Sequence, residues 1–145
     1  MVVKENCWMG DSVAYEELSG KEQESFNSAI LKSVMAKGGY LEAFTVNGDK
    51  WGADLLFYRS SDGNVMKVQL KGRPFLSKKY CNKDIYIAFP DKDRCRWFVY
   101  SHDDVMNAVL STGRLVGTKS WDVQGGWSWS YIPPFLEEIL AEWEI

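Results

Sequence analysis

The pattern of apolar and polar positions predicts one helix followed by a series of short strands. Residues 21–37 carry apolar side chains at the spacing of one helix face, and two glycines then end the helix. The apolar positions are Phe26, Ala29, Ile30, Leu31 and Val34. Five segments rich in β-branched and aromatic residues follow, most of them separated by turn residues. These are residues 40–46, 53–59, 65–71, 85–89 and 96–100.

The C-terminal part predicts two further helices. Ser101 has the character of an N-cap, opening a helix to about Leu110. Another short helix follows the pair Pro133 and Pro134. The order of elements indicates an α/β domain with a mostly antiparallel or mixed sheet of four to five strands, covered by helices. With 145 residues and no repeat or linker, residues 1–145 are expected to form one domain.

The second and third predicted strands form a hairpin that assembles polar residues. Asp62 and Gly63 are the favoured centre of a two-residue type I′ turn. That turn places Asp54 opposite Lys71, with Gln69 two positions away on the same face. The residues that alternate with them point to the other face: Met66, Val68 and Leu70.

A carboxylate, an amide and an ammonium group on one face suit phosphoryl-transfer chemistry. Carboxylate, amide and backbone carbonyl oxygens are hard ligands that Mg²⁺ prefers. Such an ion can position a water molecule and lower its pKa, and a lysine can stabilise the charge that develops on phosphorus. The alternative is a cross-strand ion pair between Asp54 and Lys71 on a solvated sheet face.

The charge is unevenly distributed along the chain. The net charge is −3, from 17 basic and 20 acidic residues, which argues against coating of nucleic acid by charge alone. Residues 67–83 nevertheless carry six cations and no acid, so this stretch is basic and the remainder is acidic. The stretch predicts contacts with a phosphate backbone, and the alternative is a solvated loop. Its cations are Lys67, Lys71, Arg73, Lys78, Lys79 and Lys83.

These residues resemble the core of the PD-(D/E)XK nuclease superfamily, in the variant where glutamine replaces the second acid. A helix is followed by a hairpin with Asp54 on its first strand and Gln69-x-Lys71 on its second. The chain is also similar, over roughly residues 21–130, to a group of small uncharacterised bacterial proteins. The shared segments read DKWGAD, KVQLKGR, KKYCNKDIYIAF, RWFVYSHDDV and TKSWDVQGGWSW.

The resemblance implies a restriction-endonuclease-like fold and a set of site residues. Asp54 and Gln69 would bind Mg²⁺, or Mn²⁺ in its place, together with the carbonyl of Leu70. Lys71 would be the catalytic lysine, and a glutamate of the first helix would complete the site. Glu24 is the candidate for that acid, with Glu22 as the alternative. The residues implied to contact DNA are Lys67, Arg73, Lys78, Lys79 and Lys83.

The activity expected from this resemblance is Mg²⁺-dependent endonucleolytic cleavage of DNA, with no small-molecule cofactor. A homodimer would cut both strands of a duplex. One alternative is a nuclease-fold module that binds DNA without cleaving it, and another is a protein-interaction domain with a tryptophan-rich tail. The start of the chain lacks the apolar region of a signal peptide, and no segment is long enough to span a membrane. A cytoplasmic location is therefore expected.

Two further patterns favour structural roles. His102 follows the predicted N-cap and is expected on the surface of the first helical turn. Trp127, Trp129 and Tyr131 are spaced two residues apart and are expected to pack on the core rather than to stack on bases.

Overall fold

A computed structural model describes residues 13–43 and 53–145. It contains three α-helices, which are α1 (Gly20–Lys37), α2 (His102–Ser111) and α3 (Pro134–Leu140). The strands are β1 (Tyr40–Glu42), β2 (Leu55–Arg59), β3 (Asn64–Leu70), β4 (Phe75–Ser77), β5 (Ile85–Asp91), β6 (Arg96–Ser101) and β7 (Gly126–Ser128). None of the helices in the described part of the chain is long and apolar enough to cross a lipid bilayer.

Five strands form a mixed sheet in the order β1-β2-β3-β5-β6. Neighbouring strands are antiparallel except for β3 and β5, which run parallel. Strands β4 and β7 form a separate antiparallel pair. The protein is therefore an α/β protein with a mixed five-stranded sheet, as the element order predicts.

The sheet separates two hydrophobic clusters. On one face, Leu31 and Met35 of α1 pack with Val68 of β3. On the other face, α2 and α3 pack against β5 side chains such as Ile87. The β5 side chain next to it, Ala88, belongs to the cluster on the α1 face. Because β3 and β5 are paired at Gln69 and Ile87, Gln69 points to the face that α1 does not cover.

Local sequence signals explain where the helices begin and end. Ser19 caps α1 through a reciprocal pair of hydrogen bonds with Glu22, and α1 ends at Lys37 before two glycines. Ser101 caps α2, accepting a bond from the backbone N–H of Asp104. The prediction of these two helices is confirmed, as is that of the helix beginning at Pro134.

The predicted strands are confirmed, with shifted ends and two omissions. The first predicted strand ends at Glu42, and residues 44–46 of that prediction lie outside the described residues. The short strands β4 and β7 were not predicted, because three-residue strands next to proline, glycine and serine show too few alternations to form a pattern.

The register of the β2–β3 hairpin differs from the prediction by two residues. Arg59 pairs with Asn64, so the connection has four residues instead of the two expected at Asp62 and Gly63. Asp62 forms an ion pair with Arg59 and accepts a hydrogen bond from the backbone N–H of Asn64. These contacts hold the pKa of Asp62 at about 2 and close the wider loop.

Candidate functional site

Asp54 lies directly before β2, and the hairpin register brings it to Gln69. Leu55 pairs with Val68, and the backbone N–H of Asp54 donates to the Val68 carbonyl over 3.0 Å. The paired register ends there, and Asp54 lies beside Gln69 and Leu70, where the sequence predicts Lys71 as its direct partner. A shift of two residues leaves every side chain on its predicted face, so Asp54 and Gln69 still converge.

The contact between these two side chains is direct. The Gln69 amide Nε2 donates to Oδ2 of Asp54 over 2.8 Å. The backbone N–H of Leu70 donates to the same oxygen over 3.2 Å. The Asp54 residue itself is exposed. Two donors of β3 thus orient the carboxylate of a residue that is exposed as a whole.

The carbonyl oxygen of Gln69 is the unusual atom of the site. Gln69 is only 7% exposed, and its Oε1 is buried with no hydrogen-bond partner. A buried carbonyl oxygen without a partner costs about 1–3 kcal/mol, and native structures rarely leave one unexplained. A cation is one group that would satisfy it, and an amide oxygen beside a carboxylate suits Mg²⁺ or Mn²⁺.

The Leu70 carbonyl is positioned at the same edge of β3. Backbone groups of successive residues in a strand point to opposite edges. Lys71 N–H donates to Ala88 of β5, so the backbone groups of Leu70 point to the β2 side. There the Leu70 N–H meets Asp54. The structure therefore brings together all three predicted ligand positions, namely Asp54, Gln69 and Leu70.

Lys71 follows β3 and shares the face of Gln69. Its Nζ lies 4.7 Å from the centre of the Phe75 ring and 5.9 Å from that of Tyr80. The aromatic faces hold the ammonium group by cation–π attraction without removing its charge. Lys71 is therefore a charged group on the site face, with its side chain resting against β4.

The two candidate acids of α1 are not brought to this contact. Leu31 and Met35 place α1 on the opposite face of the sheet, and Glu24 is exposed on that helix. The carboxylate of Glu22 accepts a hydrogen bond from Ser19, and this bond lowers the pKa of Glu22. Glu22 therefore serves the helix cap, and completion of the site by Glu24 remains a prediction.

The basic residues divide into two groups. The ammonium group of Lys67 donates to the Lys83 carbonyl, so this lysine ties β3 to the start of β5. The others are exposed along the connection from β3 to β5, where a phosphate backbone could reach them. They are Arg73, Lys78, Lys79 and Lys83. Residues Lys78–Tyr80 form a short 3₁₀ helix directly after β4.

An open cavity of about 330 Å³ adjoins the end of β3. Lys71, Gly72 and Arg73 form one side of it. Phe75 of β4 and Ser128 of β7, which pair directly in the second sheet, form the other. The sequence did not predict this cavity, because its far wall depends on pairing between two strands that are distant along the chain.

The expectation for His102 is wrong, because the residue is fully buried. Its Nε2 accepts a hydrogen bond from the backbone N–H of Ser77 over 3.0 Å, and its ring meets Tyr80 edge to face. Burial lowers the pKa of His102, and the neighbouring carboxylate of Asp103 opposes that shift. His102 links α2 to the end of β4. The sequence pattern does not show this role, because the Ser77 N–H that requires an acceptor reaches His102 only in the folded structure.

Cys81, His102 and Asp103 form a cluster with ligand atoms within 4.8 Å of one another. The chemistry of the histidine argues against a metal there. Since Nε2 accepts the Ser77 N–H, the neutral ring carries its proton on Nδ1, which lies 3.2 Å from Asp103. A ring with one nitrogen accepting and the other protonated has no lone pair left for an ion. Burial also raises the pKa of the Cys81 thiol.

The predicted packing of the aromatic residues on the core is confirmed for Trp127 and Trp129 and is wrong for Tyr131. Trp127 and Trp129 are half-buried and pack against the core cluster that contains α2 and α3. They do not form an exposed apolar patch. Tyr131, two residues further on, is instead 68% exposed.

In comparisons with known proteins, no family model, no curated protein and no solved structure matches this chain.

Proposed function

We propose that this protein is a metal-dependent nuclease that hydrolyses phosphodiester bonds of DNA on a PD-(D/E)XK-like fold. One observation carries the proposal: the buried Gln69 Oε1 has no partner, in a side chain whose amide is fixed to Asp54. A hard cation would satisfy this oxygen, and the carboxylate beside it would supply the charge.

The chain's own residues account for how such an ion is held. Asp54, Gln69 and the Leu70 carbonyl would bind Mg²⁺ or Mn²⁺ at the edge between β2 and β3. When bound, the ion supplies Lewis-acid chemistry, withdrawing charge from a phosphate oxygen and lowering the pKa of a water molecule. Two hydrogen bonds already orient Asp54, so the free protein holds this ligand in place before an ion arrives.

Lys71 would neutralise charge on the phosphate that undergoes cleavage. Its ammonium group lies over the Phe75 ring, and the cavity it lines opens to solvent. A lysine at this place stabilises an anionic transition state more than the ground state, because the negative charge on the phosphoryl oxygens grows during attack. Exposed cations at Arg73, Lys78 and Lys79 would position the remaining backbone.

The test combines cleavage with metal binding. Supercoiled plasmid and circular single-stranded DNA are incubated with Mg²⁺ or Mn²⁺, and the wild-type protein is expected to cut at least one of them. Lys71→Ala is expected to abolish cleavage, whereas Lys37→Ala, which removes an exposed lysine at the end of α1, should leave it intact. Equal cleavage by wild type and Lys71→Ala contradicts the proposal.

Metal binding gives a measurement that does not depend on turnover. Electron paramagnetic resonance of Mn²⁺ is expected to show one bound ion per chain. Asp54→Asn removes the charge and Gln69→Met removes the amide oxygen at similar volume. Each change is expected to weaken Mn²⁺ binding at least tenfold, which corresponds to about 1.4 kcal/mol. Unchanged binding in both variants would show that the ion lies elsewhere.

A non-cleaving DNA-binding module is the second candidate. It is favoured by the neutral ligand Gln69, which brings one charge less to a cation than glutamate would. This reading predicts binding of DNA that weakens with salt and with loss of Lys78 and Lys79, and no cleavage with either metal. The interaction-domain alternative required an exposed patch at Trp127 and Trp129, and their packing gives it no support.

A further inference from the structure

We infer that the cavity beside Lys71 binds one unpaired nucleotide, so that the substrate strand is single-stranded where it passes β4 and β7. The inference rests on the proposed function, which it extends from DNA in general to an unpaired strand. It is carried by the size of the cavity, by the chemistry of its walls and by the rigidity of the strand that bears its aromatic ring.

The cavity has the size of a small-ligand site. Its volume of about 330 Å³ is at the lower end of the range of pockets that bind small molecules, and it is a shallow depression that is more open than enclosed. Gly72 contributes no side chain, and a Cβ atom placed there would meet nothing within 4 Å. The space is therefore sufficient for one nucleotide that enters from the solvent side.

The walls offer a binding partner for each part of a nucleotide, namely its phosphate, its sugar or base edge and its base face. Lys71 and Arg73 provide positive charge for a phosphate, and the Ser128 side chain can hydrogen-bond to a base or sugar edge. The half-buried ring of Phe75 lines the cavity with the Lys71 ammonium group 4.7 Å from its centre, so a base that docks there meets an aromatic ring and a cation together. In double-stranded DNA the base faces are stacked on one another inside the helix, so they cannot stack on an aromatic ring of the protein. Basic and aromatic groups together are typical of sites for single strands.

Two hydrogen bonds with Tyr100 hold the backbone of Phe75 in place. Its backbone N–H donates to the hydroxyl of Tyr100 over 3.0 Å, and the same hydroxyl donates to its carbonyl over 2.6 Å. Tyr100 is itself buried, so this clamp is anchored in the core. Because this backbone is already fixed, docking of a base on the ring costs only side-chain conformational entropy at Phe75.

Exposed cations continue from the cavity along the chain. Lys78 and Lys79 lie three and four residues beyond Phe75, each with its ammonium group over an aromatic ring, of Trp121 and Tyr80 respectively. Within residues 13–43 and 53–145, no ion pair of 4.0 Å or less joins either lysine to a carboxylate. A strand leaving the cavity would thus meet further positive charge.

The test measures binding in EDTA, where metal-dependent cleavage does not interfere. Fluorescence anisotropy compares a labelled 12-nucleotide thymidine strand with a labelled 12-base-pair duplex at one ionic strength. The single strand is expected to bind at least tenfold more tightly. Phe75→Leu, which removes the ring, and Ser128→Leu, which fills the cavity from β7, should each weaken single-strand binding about five- to tenfold. Neither should alter duplex binding.

Phe26→Leu is the matched control, since Phe26 is a half-buried phenylalanine on α1, away from the cavity. It should leave both affinities unchanged, and thermal unfolding verifies that all variants are folded. Equal affinity for the two DNA forms, no binding of either, or unaltered single-strand binding in both cavity variants overturns the inference. If Mg²⁺-dependent cleavage is nevertheless seen, the nuclease proposal stands without it. A preference for the single strand without any cleavage would support this inference and count against the nuclease proposal.

Discussion

The amide of Gln69 donates to Asp54 over 2.8 Å, so the Asp54 carboxylate has a neutral partner rather than a second acid. Two carboxylates at this distance would repel each other. Glutamine instead donates a hydrogen bond to the Asp54 carboxylate and leaves its own oxygen buried without a partner. The hydrogen bond thereby orders the site without an ion. The neutral glutamine also brings one negative charge less than glutamate would to attract an ion.

Gln69→Glu should make the protein less stable without metal and increase its affinity for a metal ion. Without metal, the change removes a hydrogen bond to a charged group and adds a like charge beside Asp54. The free energy of unfolding in EDTA is expected to fall by about 2 kcal/mol, within the range of 1.5–3 for such bonds. With Mn²⁺, the added carboxylate should bind the ion more tightly, so the melting temperature should rise more than in wild type.

Gln124→Glu is the control for this prediction, since Gln124 is exposed and distant from Asp54 in sequence. It adds the same charge and should change neither the free energy of unfolding in EDTA nor the rise in melting temperature with Mn²⁺ appreciably. A Gln69→Glu variant that is as stable as wild type in EDTA, or that gains nothing from Mn²⁺, would contradict the assignment of Gln69 as a ligand.

The faces of the site strands could be predicted from sequence, because alternation along a strand is insensitive to an error of two residues. The type I′ turn at Asp62 and Gly63 was the wrong choice, yet Asp54 and Gln69 still meet. A shift of one residue would have separated them. The position of Lys71 relative to Asp54, which depends on the register itself, was not correctly predicted.

Contacts made by isolated backbone groups could not be predicted. The buried N–H of Ser77 needs an acceptor, and His102 supplies it from a helix that follows much later in the chain. A helix-cap pattern says only that residue 102 begins a first turn. Whether that turn faces solvent or the end of β4 depends on how α2 packs, for which a single histidine gives no signal.

The observed register can be tested by cross-linking. Tyr58 and Val65 are direct partners and both are exposed, so the pair Tyr58→Cys with Val65→Cys should form a disulfide on mild oxidation. Directly paired residues have Cα atoms about 4.5–5.5 Å apart, which suits a disulfide. The register predicted from the turn would pair Tyr58 with Lys67 instead.

The control is therefore Tyr58→Cys with Lys67→Cys. In the observed register these positions are diagonal neighbours on the same face, about 7–8 Å apart, beyond the usual disulfide range. Mass spectrometry of digested protein measures both links. Faster cross-linking of the control pair would show that the two-residue turn is correct.

Arg96 connects β6 to α3 and to the end of the chain. Its guanidinium contacts Asp91 at 2.8 Å, Glu137 at 2.6 Å and Glu144 at 3.1 Å, and the side chain is only 18% exposed. Arg96→Met would leave three carboxylates without this partner and is expected to lower the free energy of unfolding by about 2 kcal/mol, less than for a fully buried pair.

Arg94→Met is the matched control for Arg96. Arg94 meets Glu137 at 3.5 Å and is 66% exposed, so its loss should cost under about 0.5 kcal/mol. Urea unfolding at low and high salt measures both changes. Equal costs for the two variants would show that the Arg96 network contributes no more than an ordinary surface ion pair.

His102 should make the protein less stable as the pH falls below about 6.5. Burial lowers its pKa in the folded state, so the unfolded chain binds a proton more readily. In the folded state, protonation of Nε2 would remove the acceptor of the Ser77 N–H. The stabilisation is present above the ordinary histidine pKa and is lost as the pH falls towards the folded value.

The measurement is urea unfolding between pH 7.5 and pH 5, above the range where most carboxylates titrate. His102 is the chain's one histidine, so the slope in this window reports on it. His102→Gln keeps an acceptor and cannot be protonated, and it should give a flat profile even if the variant is less stable throughout. A wild-type profile as flat as that of the variant would mean that the buried ring takes up its proton as readily as in the unfolded chain, contrary to its contact with Ser77.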